Sequence, residues 1–112
     1  MVDIDVSLLE QVTLIEVQGR IDGVTAPRFG LALRDQLAQG HTQLVVDLAG
    51  VDYMSSAGLR EIVTSLKQAR QQPDGDLRVS RPTERVREII ELAGLDQIVM
   101  IFPTPDEAVA SF

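Results

Sequence analysis

The sequence contains no cysteine and no tryptophan, and one tyrosine and three phenylalanines are its only aromatic residues. Without cysteine, the chain can form neither a disulfide nor a thiolate-ligated metal site. A typical transition-metal site needs several histidine or cysteine ligands, and His41 is the only histidine, so we expect no metal. The scarcity of aromatic residues means that a folded core must be built mainly from Val, Leu, Ile and Ala.

Basic residues are also scarce, with 10 Lys and Arg against 17 Asp and Glu, for a net charge of −7. A nucleic-acid binder needs a basic face for phosphates, and an anionic membrane surface attracts basic segments. No apolar run approaches the roughly 18 residues of a membrane span. The first residues are acidic and lack the basic region of a signal peptide. We therefore expect a cytoplasmic protein that binds neither nucleic acid nor membrane.

Alternation of apolar and polar residues predicts the strands. Two alternating runs, "VDIDVSLL" and "VTLIEVQG", predict an opening hairpin whose second strand breaks at Gly19. The run "TQLVVDLAGV", bounded by Gly40 and Gly50, predicts a central strand buried on both faces. "LRVSR" predicts a short fourth strand, and "IVMIF" predicts the last.

Helical spacing and capping signals predict four helices between and after these strands. Thr25 is a candidate cap for the first helix, and Pro82 is expected to open the third. Gly94 follows the third helix where a left-handed cap is typical, and Thr104 begins a capping box before the last. The second helix follows two serines, and its predicted apolar stripe is Leu59, Ile62, Val63 and Leu66.

The resulting order, β-β-α-β-α-β-α-β-α, predicts an α/β fold with a mixed, mostly parallel sheet of about five strands and four helices. We expect one domain over residues 1–112. If the second and third strands are neighbours, Asp22 and the two serines meet at the carboxyl edge of the sheet, where such folds place their sites. The sequence leaves the strand order open.

Ser55 and Ser56 lie at the predicted amino end of the second helix. A serine oxygen there can cap the free backbone N–H groups, which is worth about 1 kcal/mol. A phosphate on the same oxygen would also be favoured by those donors and by the helix dipole. Asp22 is similarly open to two interpretations, a turn carboxylate or a partner contact.

The segment "LVVDLAGVDYMSSAGLREIVTSLKQAR" resembles the signature of anti-sigma factor antagonists, small bacterial members of the STAS domain family. In that pattern a strand ends in an aspartate, here Asp47, and an aromatic residue precedes Asp-Ser-Ser/Thr-Gly-Leu. "GRIDGVTAPRF" and "VSRPTERVREIIELAGLDQIVMIFPTPDEAV" resemble two further family segments, so the likeness covers almost the whole chain. This sequence departs from the pattern at Ser55, where the family has aspartate, and at Ala57, where it has a second hydroxyl residue.

The resemblance implies a protein-interaction switch without a cofactor. The unphosphorylated protein binds an anti-sigma factor, a serine kinase of GHKL type, and thereby releases a sigma factor. The kinase phosphorylates the antagonist, here on Ser56 with Ser55 as the alternative, and a PPM-type phosphatase removes the phosphate. The partner-binding residues implied by position are Asp22, Tyr53, Met54, Ser55, Ser56, Ala57, Gly58 and Leu59.

Other functions compete with this switch. Some STAS proteins are regulatory or scaffold subunits in secretion, motility or transport, and this alternative stays open. A serine hydrolase is disfavoured because the Gly-x-Ser-x-Gly elbow is absent and His41 is the only possible histidine base. A nucleotide-binding loop is disfavoured because no glycine-rich cradle with lysine follows the serines. We therefore predict a binding protein rather than an enzyme.

Overall fold

The chain begins with an antiparallel hairpin, in which Val6 pairs with Ile15 and Leu9 with Val12. The computed structural model describes all residues from Met1 to Phe112. Its strands are β1 (Val2–Leu9), β2 (Val12–Ile21), β3 (Gln43–Met54), β4 (Asp76–Ser80) and β5 (Ile101–Phe102). Its helices are α1 (Ala26–Ala38), α2 (Ser56–Arg70), α3 (Glu84–Leu92) and α4 (Pro105–Ala110), with a short 3₁₀ helix at Leu95–Gln97.

The five strands form one sheet in the order β1-β2-β3-β4-β5. β1 pairs antiparallel with β2, and each following pair is parallel. The predicted fold class, element order and antiparallel edge strand are confirmed. The open question of strand order is also answered, because β2 and β3 are neighbours and their carboxyl ends lie at the same edge.

The sheet has one covered face and one largely open face. On the covered face, strand residues such as Ile15 and Val46 pack with Phe29 of α1, Ile62 of α2 and Ile90 of α3, all fully buried. On the open face, only α4 packs against the sheet, where Ala108 joins Val12 and Val45. Asp3 and Asp5 are exposed on β1. Most of the hydrophobic core therefore lies on the covered face of the sheet.

Two strands run further than predicted. β2 does not break at Gly19 but continues to Ile21, with Gly19 at φ 110°, a conformation that glycine adopts without strain. β3 does not end at Gly50 but continues to Met54, since it stays paired with β2 as far as Ile21. Residues 52–54, predicted to lie in a loop, are thus on a strand.

The elements after β4 are shorter than predicted. α3 begins at Glu84 rather than Pro82, because Thr83 takes the capping position. Ala93, which follows the last residue of this helix, is exposed. The last strand contains only Ile101–Phe102, and part of the predicted run is replaced by the turn that follows Gly94, whose φ of 73° confirms the predicted left-handed cap. None of the helices has the length and apolar composition needed to cross a bilayer.

Candidate functional site

The carboxyl ends of β2 and β3 meet side by side and lead into α1 and α2. Arg20 is paired with Tyr53, and Ile21 with Met54. The backbone N–H of Ser55 donates to the carbonyl of Ile21 at 2.8 Å, which ties the start of α2 to the end of β2. Asp22 directly follows that carbonyl, so the predicted approach of Asp22 to the serines is confirmed.

Asp22 organises the turn between β2 and α1. Its Oδ1 accepts hydrogen bonds from the backbone N–H groups of Val24 at 2.9 Å and Thr25 at 3.1 Å, and its Oδ2 accepts one from Arg20 Nε at 3.0 Å. These hydrogen bonds hold the pKa of Asp22 below its ordinary value, and the bond from the Thr25 backbone N–H contributes most. Asp22 is thus a turn carboxylate, and its contact with a partner stays a prediction.

Thr25 does not cap α1 as predicted. It occupies the position before the helix, but its backbone is helical and its side chain makes no capping bond. Its hydroxyl instead donates to the Arg20 carbonyl at 2.7 Å and accepts from the N–H of Asp22 at 2.9 Å. Because the hydroxyl faces the preceding turn, it is not available to the first N–H groups of α1.

Tyr53 and Met54 lie on opposite faces of β3. Tyr53 is half-buried, and the Arg20 guanidinium lies over its ring, 4.2 Å from the centroid. Met54 is fully buried. Tyr53 therefore retains accessible surface for a partner. The side chain of Met54, for which a partner contact is also predicted, is not accessible in this structure.

Gly58 and Leu59 are also buried beneath the site. A Cβ atom built on Gly58 would lie 2.7 Å from Ile21 Cγ2 and 2.7 Å from Met54 Cγ. Glycine is thus needed because side chains of β2 and β3 press on the first turn of α2. Like Met54, these two residues shape the site from inside, and their predicted contact with a partner stays a prediction.

The two serines at the amino end of α2 differ in exposure. Ser55 occupies the capping position with extended backbone, φ −87° and ψ 173°, yet its side chain makes no capping bond. Its hydroxyl oxygen is buried and has no hydrogen-bond partner. Ser56 is the first helical residue and is exposed. Of the two interpretations left open for these serines, the side-chain cap at the N-cap position is therefore not observed, and the first turn also lacks an acidic residue.

An ion pair that sequence reasoning did not find joins β3 to the residue after β4, with Asp47 buried and Arg81 half-exposed. Asp47 on β3 accepts hydrogen bonds from Ser80 Oγ at 2.9 Å and from Arg81 Nη2 at 2.7 Å and Nε at 3.1 Å. The Asp47 side chain is only 4% exposed, and its hydrogen bond and charge raise the pKa of Arg81. Arg81 itself has a φ of 48°, a left-handed conformation that this pairing helps to hold.

The accessible surface around the serines is small and polar. It includes Asp52, Ser56 and Arg60, which are exposed, and Tyr53 and Ala57, which are half-buried. The largest cavity, about 920 Å³, lies at the opposite edge of the sheet and is lined by residues such as Leu8, Gln43 and Phe112. No group of three or more acidic or histidine side chains is arranged to hold a metal ion. This geometry suits contact with a protein surface.

Comparison with known proteins places this geometry in context. The STAS domain family profile matches residues 3–108. The candidate anti-sigma factor antagonist BtrV of Bordetella bronchiseptica is 33% identical over 86% of this chain and 82% of its own length. The anti-sigma-B factor antagonist of Listeria monocytogenes is 34% identical over 78% of this chain and 75% of its own. An anti-sigma factor antagonist from Mycobacterium paratuberculosis has a crystal structure with a TM-score of 0.90, 28% identity, and coverage of 99% of this chain and 93% of that one.

Proposed function

The chain belongs to the STAS domain family, and from that membership we propose that it is an anti-sigma factor antagonist whose binding is switched by phosphorylation of Ser56. In this proposal it is a cytoplasmic binding protein, not an enzyme. Unphosphorylated, it binds an anti-sigma factor that is also a serine kinase of GHKL type, and a sigma factor is released. The names of its relatives favour this function over a scaffold in secretion, motility or transport.

The observation that carries the proposal is the unequal exposure of two adjacent hydroxyls. Ser56 is exposed at the first position of a helix of 15 residues, whereas the hydroxyl oxygen of Ser55 is buried. A kinase must reach the acceptor oxygen, so this difference supports Ser56 as the acceptor. The helix end also favours the product, because its free N–H groups and dipole stabilise a phosphate.

A phosphate at this position would oppose binding through its charge. Phosphorylation adds about −1.5 to −2 charges at neutral pH. Asp52 is exposed nearby, and the whole chain already has a net charge of −7. A partner surface that fits the neutral hydroxyl would have to accept or desolvate the new charge. A loss of about 3 kcal/mol of binding free energy weakens the dissociation constant more than a hundredfold.

Phosphate transfer from ATP by the GHKL-type kinase tests the acceptor. We expect one phosphate in the wild-type chain, none in Ser56→Ala, and retained transfer in the matched control Ser55→Ala, located by mass spectrometry. A PPM-type phosphatase is expected to remove the phosphate from the wild-type chain. Full incorporation into Ser56→Ala would contradict the proposal.

A further inference from the structure

Arg60 is a cation without a partner, one helical turn after Ser56. It is exposed on α2 and makes no ion pair or side-chain hydrogen bond. Residues four apart on a helix lie on the same face, so Arg60 follows Ser56 along one stripe. Side chains on a helix lean toward its amino end, which directs a long arginine back over the preceding turn.

Of the other charged side chains near the amino end of α2, Glu61 and Arg20 are already engaged. Glu61 accepts a hydrogen bond from Arg34 of α1 at 2.8 Å. Arg20 of β2 is paired with Asp22 at 3.0 Å and lies over Tyr53. Asp52 of β3 is exposed and has no arginine partner. Arg60 is therefore the unpaired cation of α2 within one turn of Ser56, since Lys67, the other unpaired cation of this helix, lies three turns from it.

A second unpartnered group lies at the same helix end. The hydroxyl of Ser55 is buried without any hydrogen-bond partner, although a buried polar group normally finds one. A hydroxyl can donate to a phosphate oxygen, and a guanidinium can donate two hydrogen bonds to phosphate at once. Two unpaired hydrogen-bond donors, the Ser55 hydroxyl and the Arg60 guanidinium, thus lie before and after Ser56 at the amino end of α2.

We propose that Arg60 binds the phosphate of phosphorylated Ser56 within the same helix, acting as a positioning residue for the modified side chain. This inference rests on the proposed phosphorylation of Ser56. Before phosphorylation, Arg60 is free for an acidic group on the partner. After phosphorylation, the phosphate draws the guanidinium to itself, so the modification both adds charge and removes a contact. The switch then depends on two residues one turn apart.

The test uses the full chain with phosphoserine incorporated at position 56 by genetic-code expansion, so that no kinase is needed. Phosphorus NMR then follows the second ionisation of the phosphate over pH. A nearby cation favours the dianion, so we expect the pKa of this phosphate to be lower in the wild-type background than in Arg60→Gln by about 0.2 to 0.4 pH units. The difference should shrink in 1 M salt, where the Debye length is about 3 Å.

Arg85→Gln is the matched control, because Arg85 is also exposed and unpaired but lies on α3. It should leave the phosphate pKa at the wild-type value. The charged neighbours Arg20, Asp22, Asp52 and Glu61 are present in every sample, so they cancel in the comparison. Equal phosphate pKa values in the wild type and Arg60→Gln, or an equal rise in Arg85→Gln, would overturn the inference. Because the phosphoserine is introduced without a kinase, failure of kinase transfer would contradict the proposed function but not this ion pair.

Discussion

The amino ends of α2 and α3 both follow strands that end at the same edge, yet their hydroxyl groups are used differently. At α3, Thr83 accepts a hydrogen bond from the N–H of Val86 at 3.3 Å and donates one to the carbonyl of Val51 at 3.2 Å. At α2, the side chains of Ser55 and Ser56 make no hydrogen bond within the chain. The threonine hydroxyl at the start of α3 thus helps to hold the fold, whereas the serine hydroxyls at the start of α2 do not.

A threonine side chain caps α4 as it does α3, whereas α1 has no side-chain cap and is preceded by an ordered turn. Thr104 accepts a hydrogen bond from the N–H of Glu107 at 3.1 Å at the start of α4. The turn into α1 is held by Asp22, which accepts bonds from two backbone N–H groups. The entry to α2 differs from these because the side chains of Ser55 and Ser56 make no hydrogen bond within the chain, which leaves the exposed Ser56 hydroxyl available for modification or for a partner.

The largest loss of stability is expected from breaking the ion pair that holds Arg81, shortly before α3. Asp47→Ala leaves Arg81 and Ser80 without their shared acceptor and releases the left-handed backbone at Arg81. Because the buried Ser80 hydroxyl and the half-exposed Arg81 lose their charged acceptor, we expect the free energy of unfolding to fall by about 2 to 3 kcal/mol, measured by urea denaturation. Asp52→Ala, an exposed acid on the same strand, is the control and should change it by less than about 0.5 kcal/mol. Equal losses in both variants would contradict the role of this ion pair.

A smaller effect separates the two helix ends directly. Thr83→Ala removes a cap and a bond to β3, so we expect a loss of about 1 to 2 kcal/mol in the free energy of unfolding. Ser55→Ala removes a buried hydroxyl that bonds nothing, so we expect a change within about 0.5 kcal/mol. Thermal and urea unfolding of both variants in one buffer make the comparison. A loss of unfolding free energy in Ser55→Ala as large as that in Thr83→Ala would mean that the Ser55 hydroxyl does cap α2.

The smallest effect concerns the turn into α1 and depends on pH. The pKa of Asp22 is lower in the folded chain than its ordinary value of 3.8, so the unfolded chain binds a proton more readily. Its contribution to stability is therefore present above that value and is lost as pH falls through the folded pKa. The stability difference between the wild type and Asp22→Asn should be largest near neutral pH and shrink below about pH 4. A difference that stays constant with pH would show that the charge of Asp22 is not involved.

Local patterns in the sequence were enough to predict the element order, the left-handed Gly94 and the Thr104 cap, because each depends on residues within one turn. The extension of β3 to Met54 was missed, since it depends on pairing with β2 rather than on Gly50. The Asp47–Arg81 ion pair joins residues 34 positions apart, beyond any local pattern. The serines were correctly placed at the start of α2, but their identity suggests capping, and only the packed structure shows that the Ser55 hydroxyl is buried without a partner.

The central claim is that the free amino end of α2 is a partner contact switched at Ser56. The most direct test is calorimetric titration of the GHKL-type anti-sigma kinase with the unmodified chain and with the chain carrying phosphoserine at position 56. We predict that the phosphorylated chain binds more than a hundredfold more weakly, a loss of about 3 kcal/mol. Equal affinity of the two forms would contradict the claim.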